Sequence, residues 1–375
     1  VGVIRAGAIV LDGQVQRPGW LETSGERIAA CGAGEPPRPP DDDFPDGTVV
    51  PGFVDMHVHG GGGASYTESD PDRIAQAAAF HLRHGTTTTL ASLVTASPAE
   101  LIAGVLALAD ATRRGLIAGV HLEGPWLSRA RCGAHDPNRV RPPEPAELDA
   151  VLAAGGDAIR MVTLAPELAG AEAATRRFVD AGVVVAVGHT DATYDQARRA
   201  IAAGATVATH LFNAMPRPDP REPGPALALL EDPGVTCELI ADGVHVHPAM
   251  CRFAIEAAGP RRVAAITDAI AAAGCDDGPF ELGGMPIEVA SGVARVRGTS
   301  TIAGSTATMA RVFRNVAELA GVAAAATMTS TTPARALGLP RVGGIEADYD
   351  ANLVVLDRDL RVTAVMVRGD WRPTA

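Results

Sequence analysis

A chain of 375 residues accommodates two or three average domains, or one barrel of about 250 residues with a smaller companion. Its 47% hydrophobic and 20% charged residues are those of a globular protein with a large core, which excludes disorder over most of the length. A net charge of −12 weighs against nucleic acid or an anionic membrane as main partner, because such binding needs Lys and Arg on phosphates.

In the first fifty residues, short strand-like pieces precede turn signals: Ala8 to Leu11 before Asp12-Gly13, and Arg27 to Ala30 before Cys31-Gly32. A Pro-rich, acidic loop is expected from Glu35 to Pro45, and Val49-Val50-Pro51-Gly52 reads as a boundary. From Phe53 onward, short apolar runs alternate with Ala-rich helical stretches, the signature of repeated βα units. Eight strands are expected: Phe53 to Val58, Thr86 to Leu90, Gly119 to Leu122, Ile159 to Leu164, Val183 to Gly188, Thr206 to Thr209, Thr236 to Ile240 and Val263 to Thr267. Helices are expected at Pro71 to His84, Pro98 to Arg113, Pro145 to Ala154, Ala171 to Ala181, Thr193 to Ala203 and Pro248 to Ala258, with a long loop over Pro216 to Pro233.

Beyond Asp268 the pattern predicts a β-excursion, with Pro286 to Val289 and Val293 to Val296 around Ala290-Ser291-Gly292. Helices over Thr306 to Ala320 and near Ala323 to Leu337 follow, then strands at Asn352 to Asp357 and Val362 to Val367. The expected architecture is an α/β fold, a (β/α)8 TIM-like metal-dependent hydrolase barrel with a small β-sandwich domain built from both chain ends. In residue terms, 1–50 and 341–375 form the β domain, and 51–340 the barrel with a β-hairpin insertion near 279–300. A doubly wound open sheet is the alternative.

Five scattered cysteines without a Cys-x-x-Cys pair suit a reducing compartment better than a disulfide framework. With no run of about 18 uninterrupted apolar residues and no basic leader, a cytoplasmic location is expected.

The chemistry collects at the strand ends. The first strand ends in His57 and His59, the third in Glu123, the fifth in His189 and the sixth in His210; the seventh leads to Asp242 and His245, and the eighth ends in Asp268. A barrel brings these ends to one rim. Four histidines with two carboxylates suit zinc or a similar borderline divalent ion. Such an ion acidifies water, and a nearby carboxylate can take that proton and return it to a leaving amine, which is the chemistry of amide hydrolysis. Asp268, closing the last strand, is the expected acid/base and a potential bridge to the metal.

The stretches His121-Leu122-Glu123-Gly124-Pro125-Trp126, Gly188-His189-Thr190, His210-Leu211-Phe212-Asn213-Ala214-Met215, Ala241-Asp242-Gly243-Val244-His245 and Thr267-Asp268-Ala269 resemble the amidohydrolase superfamily and, within it, the N-acetylglucosamine-6-phosphate deacetylases. The resemblance runs from Pro51 to about Leu337. It implies release of acetate from N-acetylglucosamine 6-phosphate in amino-sugar catabolism and cell-wall recycling, by a homodimer. It assigns the principal metal to Glu123, His189 and His210, and the acid/base role to Asp268. His135, in Gly133-Ala134-His135-Asp136, becomes the residue that polarises the acetyl carbonyl.

Arg221 and His245 are implied for the substrate phosphate, one such residue coming from the partner subunit, and Ala134, Asn213, Ala214 and Ile302 for further substrate contacts. Family members differ at the first strand, and the intact His57 and His59 predict a second metal position with Asp268 or Glu123 nearby. Zinc is the expected ion, one or two per subunit, with other divalent ions as alternatives. Cys132, near His135, is expected to hinder loop closure when oxidised or alkylated. The competing readings are another amidohydrolase, acting on a different N-acyl sugar or a cyclic amide, and an inactive sugar-phosphate sensor.

Overall fold

The structure is a computed structural model that describes residues 2–374. Eight parallel strands follow one another in sequence order around a central sheet: β1 (Phe53–Asp55), β2 (Thr86–Leu93), β3 (Gly119–Glu123), β4 (Ile159–Leu164), β5 (Val184–Val187), β6 (Val207–Ala208), β7 (Thr236–Ile240) and β8 (Val263–Ile266). Their residues are mostly Val, Ile, Leu and Ala buried on both faces, as strands sandwiched between a filled interior and outer helices must be.

No ladder joins β8 to β1, yet the seam between them is bridged. The Asp268 amide donates to the His57 carbonyl at 2.9 Å, and the Thr267 amide and hydroxyl donate to the Asp55 carboxylate at 3.3 and 2.5 Å. Sequential order with the two ends meeting makes this a nearly closed barrel, not an open sheet whose strand order reverses at a switch point.

Helices α1 (Pro71–Arg83), α2 (Pro98–Arg113), α3 (Pro145–Gly155), α4 (Ala171–Asp180), α5 (Tyr194–Ala202), α6 (Gly224–Glu231) and α7 (Pro248–Ala258) alternate with the strands. Their starts are encoded locally. Asp70 caps α1, while Ser97 with Glu100 and Thr193 with Gln196 form reciprocal capping boxes on α2 and α5. Proline enters the first turn of α1, α2, α3 and α7, where its missing N–H costs nothing.

Helix α6 corrects the long loop expected over Pro216 to Pro233. Its Pro225-Ala226-Leu227-Ala228-Leu229-Leu230 run is helix-forming once proline occupies the first turn, and the flanking prolines and glycines conceal it. Strand β1 is also shorter than expected, so His57 and His59 lie past its end.

The insertion after β8 is a three-stranded antiparallel sheet of Gly278–Leu282, Met285–Ala290 and Val293–Val296, one strand more than the expected hairpin. It precedes α8 (Met309–Ala320), capped by Thr308. The helix expected near Ala323 to Leu337 is interrupted by a π-helical turn at Thr327–Thr331.

The chain ends share a second, mixed sheet of eight strands. Gly2–Leu11 pairs in parallel with Asp42–Pro51, which starts inside the expected Glu35–Pro45 loop, and Leu353–Leu356 pairs antiparallel with Asp42–Pro51. One face packs Ile4, Leu21, Ile28, Val49 and Leu353 together. On the other side Val10, Val50 and Val354 join Phe53 and Phe313, whose rings stack at 5.3 Å, so the sheet and the barrel base share a core. Burial of each such ring contributes about 1.5–3 kcal/mol.

Gly60 to Gly63 follow the two histidines and are held fast. The His59 and Gly60 amides donate to the Ala269 carbonyl at 2.8 and 3.0 Å, and the Gly62 and Gly63 amides donate to Ala273 and Ala271, both at 2.8 Å. A Cβ at Gly60 would lie 2.3 Å from the Ala64 carbonyl oxygen, and Gly62 and Gly63 have φ of 60° and 82°. Only glycine allows this packed turn.

Candidate metal and catalytic site

At the C-terminal rim of the barrel, Glu123 sits at the centre of a buried cluster. Its Oε1 is 3.3 Å from His57 Nε2, 3.0 Å from His189 Nε2 and 3.1 Å from His210 Nε2; its Oε2 is 3.1 Å from His59 Nε2. Asp268 Oδ1 stands 3.3 Å from His59 Nε2 and 3.5 Å from His57 Nε2. Two overlapping donor groups result, His57 with His59 and Glu123, and Glu123 with His189 and His210.

The ring nitrogens on the outer side of the cluster fix the tautomers. His59 Nδ1 donates to the Ser92 carbonyl at 3.1 Å and His189 Nδ1 to the Arg131 carbonyl at 2.8 Å. A carbonyl only accepts, so in the neutral rings each Nε2 carries a lone pair. His57 Nδ1 likewise donates to the Glu238 carboxylate at 3.0 Å, and the inner nitrogens are crowded: His57 and His59 Nε2 are 3.2 Å apart, and His189 Nε2 is 3.0 Å from that of His210, whose Nδ1 has no partner. Facing lone pairs beside carboxylates repel unless a cation lies among them, and nitrogen with oxygen donors suits a borderline divalent ion.

The proton affinities agree. Burial disfavours charge on His57 and His59, yet the carboxylates of Glu123 and Asp268, with Glu238 also beside His57, outweigh it; His57 is pushed well up and His59 to about 9. Against burial, His57 with His189 and His135 holds the Glu123 carboxyl, and His57 with His59 the Asp268 carboxyl, well below the usual range. The site thus demands positive charge.

His135 is built differently. The Thr95 amide donates to its Nδ1 at 3.1 Å, so the neutral ring carries its proton on Nε2, 3.3 Å from Glu123 Oε2. Burial lowers its pKa to about 4 despite Glu123, so it stays neutral. Its own amide donates to the Cys132 carbonyl at 3.0 Å. The Cys132 thiol is pushed up by burial and offers little thiolate.

Strain marks the same rim. His189, His210, Ala214 and Asp268 all have left-handed backbone, with φ of 47°, 28°, 51° and 48°, a conformation non-glycine residues keep only where the surroundings enforce it.

A cavity of about 400 Å³ opens above the cluster. Ala134, His135, Asn213, Ala214, His245 and Ile302 line it along with His59, Glu123, His189, His210 and Asp268, whereas His57 lies beneath and does not. His245 Nδ1 is held by Asp242 Oδ2 at 2.8 Å, and this carboxylate raises the His245 pKa against burial. Arg221 is exposed on the loop before α6 and does not line the cavity of its own chain.

Four supporting residues escape the sequence reading. Glu238, fully buried in β7, accepts from His57 Nδ1 at 3.0 Å and from the His210 amide at 3.0 Å. Its signal was a lone charge within an apolar strand. Ser92 and Thr95 orient His59 and His135 from beyond the expected end of the second strand. Arg131 lines the cavity and pairs with Asp191 at 2.8 Å; no sequence pattern singled it out.

The amidohydrolase family profile matches residues 48–372. An N-acetylgalactosamine-6-phosphate deacetylase of Escherichia coli O157:H7 is 38% identical, with 86% of each chain covered. An N-acetylglucosamine-6-phosphate deacetylase of Bacillus subtilis is 31% identical over 97% of this chain and 95% of its own. Among solved structures, a mutant N-acetyl-D-glucosamine-6-phosphate deacetylase from Mycobacterium smegmatis in complex with N-acetyl-D-glucosamine-6-phosphate is 53% identical, with a TM-score of 0.98 over 100% of this chain and 99% of that one. With the site geometry and these matches together, the chain belongs to the amidohydrolase family.

Proposed function

We propose that this chain hydrolyses N-acetylglucosamine 6-phosphate to glucosamine 6-phosphate and acetate. The observation that carries the reading is Glu123 bridging two histidine pairs, with Asp268 and neutral His135 on the same cavity. Relatives named as deacetylases of amino-sugar 6-phosphates across most of the chain support it.

Two adjoining metal positions fit the donors, one at His57, His59 and Glu123 with Asp268 beside it, the other at Glu123, His189 and His210. A bound divalent ion, zinc being our choice, supplies Lewis acidity that acidifies water and draws electrons from the acetyl carbonyl. Asp268, ionised at neutral pH, takes the proton of the attacking water and delivers it to the departing sugar nitrogen as the C–N bond breaks. His135 donates its Nε2 proton as a hydrogen bond to the acetyl oxygen, which gains negative charge as the carbon becomes tetrahedral.

His245 is our choice for the phosphate, with Asn213, Ala214, Ala134 and Ile302 contacting the sugar. Arg221, exposed and outside its own cavity, suits donation to the site of a partner subunit in a homodimer. We assign residues 1–50 and 341–375 to a small β domain and 51–340 to the catalytic barrel with its insertion near 279–300, supported by the sheet shared between the chain ends. Among the described residues no helix is long and apolar enough to cross a membrane, and we place the enzyme in the cytoplasm.

Acetate release from N-acetylglucosamine, N-acetylgalactosamine and their 6-phosphates, with metal content measured, tests the reading. Turnover of N-acetylglucosamine 6-phosphate with little on the unphosphorylated sugars is expected; equal turnover with and without phosphate would overturn it.

A further inference from the structure

A second cavity lies at the opposite end of the barrel, where β2 begins and the mixed sheet meets α1. At about 770 Å³ it is nearly twice the size of the one above the metal cluster and within the range of small-molecule sites. One wall is apolar, with Ala78 and Leu82 of α1 and Leu116 and Ile117 before β3. The other carries charge. Four arginines, Arg27, Arg341, Arg368 and Arg372, face only two carboxylates, Glu26 and Asp350, on a chain whose net charge is −12.

Arg27 is paired with Asp350, and Arg372 has Asp370 at 3.5 Å. Arg341 and Arg368 have no ion-pair partner among the described residues. Both are anchored to one short segment: the Arg341 carbonyl accepts from the Asp350 amide at 2.9 Å, and the Arg368 amide donates to Asn352 Oδ1 at 2.9 Å. Both also keep left-handed backbone, with φ of 60° and 48°, and their exposed side chains line the cavity without an ion-pair partner. Thr86, on the floor, is 4% exposed and its hydroxyl has no hydrogen-bond partner.

Unpaired arginines suit a phosphate, which they bind through paired N–H groups, and the apolar wall suits the body that carries it. We propose that this cavity binds a phosphate monoester with a planar or apolar body, and that its occupancy reaches the active site through β2. The strand runs from Thr86 to Thr89 on the cavity floor to Ser92, whose carbonyl orients His59 and whose hydroxyl lies 2.9 Å from His121 Nδ1. Thr95, two residues past the strand, holds His135. A ligand that prefers one setting of β2 therefore has a path to both groups.

The test is isothermal titration of the full-length protein with adenosine 5′-monophosphate and, separately, inorganic phosphate, repeated on Arg341→Gln with Arg368→Gln and on His245→Ala. Saturable binding of the nucleotide, tighter than of inorganic phosphate, is expected. The double variant should weaken it at least tenfold, and His245→Ala should leave it unchanged. Acetate release should show KM or kcat shifted at least twofold by the nucleotide in the wild type but not in the double variant. Should the double variant fail to fold, each single variant should weaken binding at least threefold.

No saturable binding of either probe at millimolar concentration, or binding lost in His245→Ala and kept in the arginine variants, would overturn the site. Inorganic phosphate binding as tightly as the nucleotide would overturn the role of the apolar wall, and binding without any kinetic shift would overturn the coupling. The titration needs no assumption about the deacetylase reaction, so the two readings fail separately.

Discussion

The Thr95 backbone amide points at Nδ1 of His135 from 3.1 Å, and because an amide donates and never accepts, it leaves the imidazole one neutral tautomer with the proton on Nε2. Burial reinforces the choice by lowering the pKa to about 4. His135→Phe, which keeps a ring without the donor, should reduce kcat by about 10²–10³, the usual cost of losing one oxyanion donor. KM should change little, as steady-state acetate release will measure.

Asp268→Asn keeps the shape of the side chain and removes its basicity. Turnover should fall by at least about 10³-fold, while the substrate still binds, because proton transfer by a placed carboxylate contributes about 10²–10⁴-fold and Asp268 serves both halves of the reaction. Single-turnover kinetics with calorimetric binding of substrate separates the two effects. Turnover like the wild type would remove Asp268 from the chemistry.

Chelation should abolish acetate release and divalent ions should restore it. The two donor groups share only Glu123, so the paired change His57→Ala with His59→Ala should cost one equivalent of metal and keep the other, whereas Glu123→Ala should cost both. Elemental analysis of purified variants gives the count. Two equivalents retained after Glu123→Ala would contradict the bridging role.

Glu238→Gln tests a residue that acts only through another. It lies beneath His57 and accepts from its Nδ1 at 3.0 Å, and losing such a partner of a metal ligand costs about 10–100-fold in metal affinity. The variant should recover much of its activity in excess metal, a response that a folding defect would not give.

His81, outside the buried donor cluster, makes a pH prediction. Its Nε2 donates to the Gly60 carbonyl at 2.8 Å, and burial, aided by nearby His84, lowers its pKa to about 4 against the pull of that carbonyl. A folded pKa below the unfolded value of about 6.5 means that the unfolded chain binds the proton first. Stability from the neutral ring is therefore full above about pH 6.5 and is lost as pH falls toward 4. Between pH 7 and pH 5 the loss is on the order of 2 kcal/mol. His81→Gln, whose amide can still reach Gly60, should lose less stability over that interval in urea unfolding.

The barrel was legible because many of its strands are short apolar runs buried on both faces, which stretches such as Val184 to Val187 and Val263 to Ile266 display without help from the rest of the chain. The side chains that the barrel gathers into the buried cluster were legible because they lie at or just past the ends of those runs. What stayed hidden depends on distant partners. Glu238 gains its meaning from His57, 181 positions away, and the Ser92 carbonyl and Thr95 amide that orient His59 and His135 are backbone groups no residue type announces, although the Thr95 hydroxyl also lies 2.9 Å from His135 Nδ1. Helix α6 was masked by its own proline and glycine punctuation, and the strand Gly278–Leu282 by its shortness and by the Gly and Pro that open it.

The packed glycine turn sets an order of assembly. The Gly60, Gly62 and Gly63 amides donate to the carbonyls of Ala269, Ala273 and Ala271, and the His57 carbonyl accepts from the Asp268 amide. On the ribosome, the early histidines therefore wait for the last barrel strand to emerge before their setting exists. Glu123, His189 and His210 come together across earlier strands. One half of the metal cluster can thus take shape while the chain is still being made, and the other half is completed only by the closing of the circle.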